Sequence, residues 1–419
     1  MLYVAIDRTG AWLRLPDPPL RFDIPALAIL VSQILLLATT AFLALREDSL
    51  RKRSFWLLAT PLLMYLIVAG LSRFWSINPD TTVKRYWFLA AVTFGGIFIG
   101  MQFRRREILQ LYEVLSILLI VGSLALILKY PKFAIDTEYD LAGAWRGMLK
   151  YKGYAGSVMA LAATVFLVRI SSWKDMGWRR RVFVSAFLGA ALVLLYQAKS
   201  ATAQIAFLAS AVAFLLGIAW LRWRHAIALR RYIVVAAFSG LLLLLGLFAV
   251  PSVLALFGRD VTLTGRIPLW RTLLPEISAR PFLGWGFGEA FWLSAEVQRV
   301  WQVITWKPGT AHSGLVELVL DTGLVGLAAV LALLGTTAAL VGRYVREHPT
   351  KEALIFPMWL VLIVLVNVGE NLLGTYELFF WLALVITFAH AAKEAVSATP
   401  SSASQTTVAQ KVQGGSPPN

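Results

Sequence analysis

The chain alternates long apolar runs with short linkers that are rich in arginine and lysine. Each run has few or no charged residues over roughly 17–22 positions, the length that an α-helix needs to cross a bilayer. Neither the strict alternation of a half-buried strand nor a heptad repeat is present. The pattern predicts an all-α polytopic membrane protein with about 11–12 transmembrane helices. The expected spans lie near 24–45, 55–73, 86–103, 109–128, 154–170, 182–197, 201–221, 232–250, 313–341, 353–372 and 375–392.

Orientation follows from the basic residues, which are concentrated in alternate linkers. Linkers with an excess of lysine and arginine face the cytoplasm in most membrane proteins. With eleven spans, this rule predicts an amino terminus outside and a carboxyl terminus inside. The basic linkers lie at 46–53, 104–106, 169–181, 222–231 and 343–351.

The amino-acid composition further narrows the classes of protein that fit this sequence. A content of 58% hydrophobic residues is too high for a soluble protein, which needs a polar surface in contact with water. The net charge of +16 suggests nucleic acid at first, but its placement in short linkers indicates membrane anchoring, and we expect no nucleic-acid partner. The chain has no cysteine, which excludes disulfides, thiolate metal sites and thiol nucleophiles.

We expect one transmembrane domain over residues 1–393, which includes a long periplasmic loop at 251–312. Residues 394–419 are rich in Ser, Thr, Gln, Gly and Pro and predict a disordered cytoplasmic tail. Residues 1–23 contain neither an uninterrupted apolar stretch nor a small-residue cleavage site, so we expect no cleaved signal peptide.

The loop at 251–312 carries many aromatic residues, so it should pack on the helix bundle or lie at the membrane interface. Segments 267–279 and 288–303 predict short amphipathic helices, and the glycines at 284, 286 and 288 predict a close-packed turn between them. A purely structural cap would explain these features equally well. The aromatic residues are Trp270, Trp285, Trp292, Trp301, Trp306, Phe257, Phe282, Phe287 and Phe291.

Two residues of this loop are the strongest candidates for chemistry. Arg266 follows Thr264-Gly265, where the backbone can turn tightly and aim a guanidinium group that suits phosphate oxygens. His312 stands in Gly309-Thr-Ala-His312-Ser-Gly, where the loop re-enters the membrane. An imidazole can accept the proton of a hydroxyl near neutral pH, although an interfacial histidine is more often a hydrogen-bonded structural group.

Further cations on the same predicted side suggest an outward-facing pocket for an anion such as a lipid-linked diphosphate. Lysines near the interface can also simply extend to the headgroups, so both interpretations stay open. Asp136-Thr-Glu138, with Asp140, is a possible metal site, but we expect the cations to neutralise the leaving group instead, without metal. The cations are Arg146, Lys150, Lys152, Lys199 and Arg266.

The sequence resembles the O-antigen ligases, the lipid A-core:surface-polymer ligases within a wider ligase/polymerase superfamily. A weaker match lies earlier in the chain, at Tyr151-Lys152-Gly153. The family usually has His-Lys-Asn there, so Tyr151 and Gly153 depart from the motif and only Lys152 matches it. The resemblance rests on Thr264-Gly-Arg266 with Trp270, Pro281-Phe-Leu-Gly284-Trp-Gly286-Phe-Gly288, Ala311-His312-Ser-Gly-Leu-Val-Glu317, Asp321-Thr-Gly323-Leu-Val-Gly326, Gln197-Ala-Lys199-Ser200 and Glu370-Asn371.

The resemblance implies a GT-C-like membrane glycosyltransferase of the bacterial inner membrane, active on the periplasmic face without a cofactor. It would transfer a glycan from undecaprenyl diphosphate to a lipid A-core sugar with inversion, among membrane lipids. His312 would be the general base or orient the acceptor hydroxyl. Arg266 would bind the diphosphate, helped by Lys152 and Lys199. Possible supporting residues are Glu317, Ser313, Trp270 and Glu370.

Three alternatives remain at this point. An O-antigen polymerase and a protein O-oligosaccharyltransferase would use the same donor and similar loops. A transporter or flippase of lipid-linked glycans would instead need charged residues along a through-path, and Glu317, Asp321 and Glu370 keep this possibility open.

Overall fold

A computed structural model describes residues 48–136, 143–223, 265–304, 306–374 and 378–397. The described part is helical, apart from turns and one isolated bridge between Ile135 and Trp145. The expected spans at 24–45 and 232–250 lie outside it.

The other nine expected spans each coincide with a helix. The last helix runs to Ser397, so the expected tail at 394–419 begins with helical residues. The helices are α1 Arg53–Leu71, α2 Pro79–Gln102, α3 Arg105–Lys129, α4 Lys152–Ile170, α5 Trp178–Gln197, α6 Ala201–Trp223, α7 Arg266–Ala279, α8 Val297–Val303, α9 Gly314–Glu347, α10 Ile355–Gly369 and α11 Leu378–Ser397.

Eight of the described helices are long and apolar enough to cross a membrane, α10 together with the helical turn Lys351–Leu354 that precedes it: α1, α3, α4, α5, α6, α9, α10 and α11. Helix α2 falls outside this group because its first turns carry Asp80, Lys84 and Arg85 and its apolar part contains glycines. The chain is therefore an all-α polytopic membrane protein, as the hydropathy pattern predicted.

Helices α4, α10 and α11 form the centre of the bundle, and most of their residues are buried. Helix α4 packs against α5 and α6, α10 against α6, and α11 against α2 and α9. Their apolar character on all sides matches this position, because a helix surrounded by other helices has no polar face.

Small residues bring α2 and α11 close together. A Cβ atom at Gly96 would lie 2.8 Å from Val385, and one at Gly100 would lie 2.7 Å from Ala389. The Gly96-Ile-Phe-Ile-Gly100 spacing places both glycines on one face, the arrangement with which membrane helices gain van der Waals contact.

Helix α9 is not continuous, which the expected span at 313–341 did not anticipate. Gly323 has φ +67° and ψ −168°, so a short helical segment ends there and a long helix starts. Backbone groups of the loop enter the break. The N–H groups of Trp285 and Gly286 donate to the carbonyl groups of Leu320 and Asp321 at 2.8 and 3.0 Å.

The loop also satisfies the start of the second part of α9. The Leu324 N–H donates to the Pro281 carbonyl at 2.8 Å, and the Val325 N–H donates to that of Phe282 at 3.3 Å. A Cβ atom at position 323 would lie 2.1 Å from the Phe282 backbone. Non-helical backbone is tolerated at this depth because protein groups satisfy it.

Contacts divide the molecule into two ends. At the loop end, the Trp75 Nε1–H donates to the Leu283 carbonyl at 3.0 Å, and Arg85 forms an ion pair with Glu289 at 2.9 Å. At the basic end, lysine- and arginine-rich linkers contact one another, and the charge pattern assigns these linkers to the same side of the membrane. There, Lys351 Nζ donates to the Ser171 carbonyl at 2.8 Å.

Two predicted loop helices have different outcomes. The helix expected at 267–279 is present as α7. The helix expected at 288–303 is wrong as one element, because it consists of a turn at Phe291–Leu293 and the short helix α8. Glu289, at φ +60°, prevents a continuous helix from position 288.

Candidate active site

Arg266 lies at the start of α7, directly after Gly265, which has φ +81°. This left-handed residue turns the chain into the helix and sets the direction of the arginine side chain. The guanidinium group reaches two other helices. Its Nη2 lies 3.3 Å from Glu370 Oε1 at the end of α10, and its Nη1 lies 3.4 Å from Thr202 Oγ1 at the start of α6.

Glu370 is buried beneath this arginine and beside the start of α4. A Cβ atom at Gly153 would lie 2.3 Å from Glu370 Oε1, so the carboxylate rests directly on the glycine backbone. The first turn of a helix favours a negative charge. Gly153, which departs from the family motif, therefore leaves room for Glu370, and it places neighbouring Lys152 at the edge of the same site.

Asn371 follows Glu370 and is 95% buried, with 5% relative exposure. Within the described residues, neither its amide nitrogen nor its amide oxygen has a hydrogen-bond partner. A buried polar group without a partner costs about 1–3 kcal/mol, so a bound polar ligand here would be favoured.

His312 lies between α8 and α9 in a left-handed conformation, with φ +48°. Such a conformation is uncommon for a residue with a side chain and is held by its surroundings. The preceding peptide is clamped from both sides. Trp270 Nε1–H donates to the Ala311 carbonyl at 2.8 Å, and the Ala311 N–H donates to Glu317 Oε2 at 2.5 Å.

The clamp connects His312 with Arg266 through α7. Trp270 stands one turn after Arg266 on that helix, so one rigid element positions both candidate residues. Glu317 is itself oriented, because the Trp292 Nε1–H donates to its Oε1 at 2.7 Å. Ser313 precedes α9, and its carbonyl accepts the Glu317 N–H at 2.9 Å.

The electrostatic environment keeps the His312 imidazole neutral. Burial and the nearby Arg266 guanidinium lower the pKa of His312 to about 4, although the Glu289 carboxylate opposes this shift. Within the described residues, neither ring nitrogen has a hydrogen-bond partner. A neutral imidazole with a free lone pair can accept a proton or a hydrogen bond from a hydroxyl group.

Trp306 completes the contact between the two halves of the site. Its ring centroid lies 5.3 Å from that of His312. A Cβ atom at Gly265 would lie 3.3 Å from its Nε1. The indole therefore lies beside both the residue before Arg266 and the His312 ring.

Lys199 lies in the turn between α5 and α6 and has φ +50°. It precedes Thr202, the partner of Arg266, by three residues, and its Nζ lies 3.2 Å from the Cβ position of Gly143. Its place borders the Arg266 site. A role for Lys152 or Lys199 in binding an anion stays a prediction.

Arg146 and Lys150 belong to the neighbouring loop. The Arg146 side chain donates to the carbonyl groups of Phe133 and Lys150 at 3.0 and 3.2 Å, and it forms an ion pair with Asp136 at 3.3 Å. Lys150 Nζ lies 5.8 Å from the Tyr151 ring centroid. These contacts explain Arg146 as a support of its loop, and a role for either residue in binding diphosphate stays a prediction.

Of the acidic residues of the possible metal site, the structure describes Asp136. Asp136 engages Arg146, while positions 138 and 140 lie outside the described residues. Among the described residues, no group of three or more His, Asp and Glu side chains is arranged to hold a metal ion.

Sequence reasoning missed several residues of this site. Thr202, Trp292 and Trp306 received no individual role, and Gly153 counted only as a departure from a motif. The aromatic content of the loop was a signal, but it did not distinguish a residue that supports the fold from one beside His312. Gly153 gave no signal, because its importance depends on Glu370, which is distant in sequence.

The sequence is similar to known proteins. A family model described as O-antigen ligase matches residues 184–331, a range that includes Arg266, His312 and Glu317. The chain is also 24% identical over 343 residues to the exopolysaccharide production protein ExoQ of Rhizobium meliloti (strain 1021), covering 75% of this chain and 72% of that protein.

Proposed function

We propose that the chain belongs to the superfamily of O-antigen ligases and polymerases, which it resembles, and that it transfers a glycan from undecaprenyl diphosphate to a sugar of lipid A-core. The reaction takes place on the periplasmic side of the bacterial inner membrane. The GT-C-like arrangement and the single transmembrane domain at 1–393 are part of this proposal.

The observation that supports the proposal is that α7, which begins at Arg266, contacts the peptide next to His312. The two residues come from opposite ends of a loop, yet Trp270, one turn after Arg266, binds the peptide next to His312. A guanidinium group that can bind diphosphate and an imidazole that can accept a proton are the groups that this transfer requires.

In the proposed step, the oxygen of the acceptor hydroxyl attacks the anomeric carbon on the face opposite the diphosphate. A new glycosidic C–O bond forms as the bond between the anomeric carbon and the diphosphate oxygen breaks. The electron pair of that bond leaves with the diphosphate, and the hydroxyl proton passes to His312. Because negative charge on the leaving group increases, Arg266 stabilises the transition state more than the ground state.

Arg266 is held by Glu370 and Thr202 before substrate arrives. This preorganisation fixes the guanidinium group, and Lys152 and Lys199 contribute further positive charge at the edge of the site. Asn371 supplies an amide for a polar group of the donor. Glu317, Ser313 and Trp270 maintain the conformation around His312.

Similarity to an exopolysaccharide production protein favours a second candidate function. In this case the acceptor is another lipid-linked glycan, and the product is a longer polymer. The same residues serve both reactions, since donor and leaving group are the same. The identity of the acceptor separates the two.

The test uses purified full-length protein with undecaprenyl-diphosphate-linked glycan and either lipid A-core or no second acceptor. Transfer to lipid A-core supports the ligase, and elongation of the donor alone supports the polymerase. We expect His312→Ala to lose transfer and retain donor binding, whereas Arg266→Ala loses both. Arg271→Ala is the matched control, because Arg271 is an exposed arginine on the same helix.

Full transfer by either His312→Ala or Arg266→Ala would contradict the assigned roles. Transport of the donor across sealed vesicles without any transfer product would support the flippase and contradict both glycosyltransferase functions.

A further inference from the structure

Trp306 differs from the other tryptophans of its loop. Its side chain is exposed, at 36% relative exposure, and its Nε1–H has no hydrogen-bond partner within the described residues. The other four each donate to a defined acceptor: Trp270 to Ala311, Trp285 to Glu276, Trp292 to Glu317 and Trp301 to Pro308.

These four hydrogen bonds explain the other tryptophans as parts of the fold. An indole N–H usually finds a partner when the ring packs inside a protein. An exposed ring with an unused donor lacks such a structural explanation, and it offers a ligand both an aromatic face and an N–H group.

The position of Trp306 indicates what it binds. Its ring is next to His312, at 5.3 Å between centroids, and its nitrogen lies close to Gly265, the residue before Arg266. A molecule on the ring would therefore lie beside both the proposed proton acceptor and the start of the helix that carries the diphosphate ligand.

We propose that Trp306 forms a sugar-binding subsite that holds the pyranose ring of the acceptor beside His312. This inference rests on the proposed function. One face of a pyranose presents a patch of C–H groups that stack on an indole, while its edge carries hydroxyl groups. The unused Nε1–H donates to one hydroxyl, and stacking turns another toward His312.

The sugar on Trp306 is more consistent with the acceptor than with the donor, because the donor is held elsewhere in the site. Arg266 takes the diphosphate that is attached to the donor, so the donor is already fixed at one end. The reaction does not require a charged group beside the reacting hydroxyl of the acceptor. The orientation of the acceptor must therefore come from stacking and hydrogen bonds. Correct orientation of a reacting group is a major source of rate acceleration.

Kinetics of Trp306→Leu and Trp306→Phe test the proposal, with lipid A-core as the varied acceptor and undecaprenyl-diphosphate-linked glycan as the donor. Leucine fills space against His312 without offering an aromatic face, whereas phenylalanine keeps a ring. We expect the acceptor KM of Trp306→Leu to rise about tenfold, equivalent to about 1.4 kcal/mol of binding. The donor KM and kcat should stay near wild type, and Trp306→Phe should recover most of the loss.

Binding without turnover gives a second readout. In an Arg266→Ala background, which retains both Trp306 and His312, lipid A-core should bind about tenfold more weakly once Trp306→Leu is added. Trp178→Leu is the matched control, because Trp178 is an exposed tryptophan at the basic end.

An unchanged acceptor KM in Trp306→Leu would overturn the proposal. So would a fall in kcat alone, which would mean that Trp306 only supports His312, or a rise in the donor KM alone, which would move the subsite to the donor. These outcomes leave the proposed function intact, whereas the absence of any transfer product with the wild-type protein would contradict the function itself.

Discussion

Two histidines at opposite ends of the bundle show how the same side chain serves different purposes. At the basic end, His390 is buried on α11, and both ring nitrogens are engaged. Its Nδ1 lies 3.2 Å from the Gly100 carbonyl, and its Nε2 lies 3.3 Å from the Tyr344 hydroxyl. This ring joins three helices, α2, α9 and α11.

His312 at the loop end is held in a different way. Its backbone is left-handed, its ring nitrogens have no partner in the described residues, and its ring faces an exposed tryptophan. The surrounding hydrogen bonds hold its backbone instead of its ring. A histidine with both ring nitrogens bound to the fold has no lone pair left for a substrate proton, whereas His312 has a nitrogen available for this role.

The largest expected effect separates these two residues. His312→Ala should lower kcat by roughly 10²–10⁴-fold, the usual contribution of general acid–base catalysis, with little change in thermal unfolding. His390→Ala should lower the unfolding temperature in detergent and leave the rate within a few-fold of wild type, because hydrogen bonds are lost far from the site. Loss of transfer in His390→Ala without destabilisation would break the comparison.

Loss of the hydrogen bonds that clamp the backbone before His312 should have the next largest effect on the rate. Glu317→Gln replaces a carboxylate that accepts two N–H groups with an amide whose nitrogen cannot accept either. We expect kcat to fall by about 10–100-fold, because a shift of about 1 Å at a catalytic group can cost two orders of magnitude. Steady-state kinetics of the variant and the wild-type protein measure this change in kcat.

Glu347→Gln is the control for this variant, since Glu347 is on the same helix and pairs with Arg343 in an exposed i,i+4 arrangement at 2.7 Å. A wild-type rate for Glu317→Gln would show that the left-handed conformation of His312 persists without the clamp.

A smaller effect is expected where α4 meets Glu370. In Gly153→Ala the new methyl group would lie 2.3 Å from Glu370 Oε1 and push the carboxylate away from Arg266. The donor KM should rise by about tenfold, because the guanidinium group loses part of its preorganisation. Gly189→Ala, where a Cβ atom meets nothing within 4 Å, should behave as wild type.

The pH dependence should show the smallest effect. A lowered pKa leaves His312 neutral at mildly acidic pH, so kcat/KM should fall only as the pH approaches about 4. Bound diphosphate favours the imidazolium, so it raises this pKa, and the acid limb of kcat should lie at higher pH than that of kcat/KM. An acid limb of kcat/KM near the ordinary histidine pKa of about 6.5 would contradict the assigned environment.

Much of the fold was predictable because membrane spans have strong local signals. Nine of the eleven expected spans coincide with described helices, and α7 appears where the amphipathic pattern indicated. The break at Gly323 was not predictable, because the apolar run continues through it. Only the hydrogen bonds of the loop at 281–286 make the interruption favourable.

Arg266 and His312 could be selected from the sequence because their residue types and glycine-rich surroundings are unusual within an apolar chain. Arg146 shows the limit of that reasoning. Its charge suggested a substrate contact, which stays a prediction, and its guanidinium group already meets Asp136 and two carbonyl groups of its own loop. Charge alone does not tell whether a cation is already neutralised.

The amino-acid sequence by itself determined that this is a helical membrane protein, because an apolar stretch of sufficient length must satisfy its backbone internally wherever it crosses a bilayer. It also determined which residue types were available for chemistry. Tertiary structure decided which of them meet, because Gly153, Thr202, Glu370 and Trp306 are separated along the chain, and only packing brings them to Arg266 and His312.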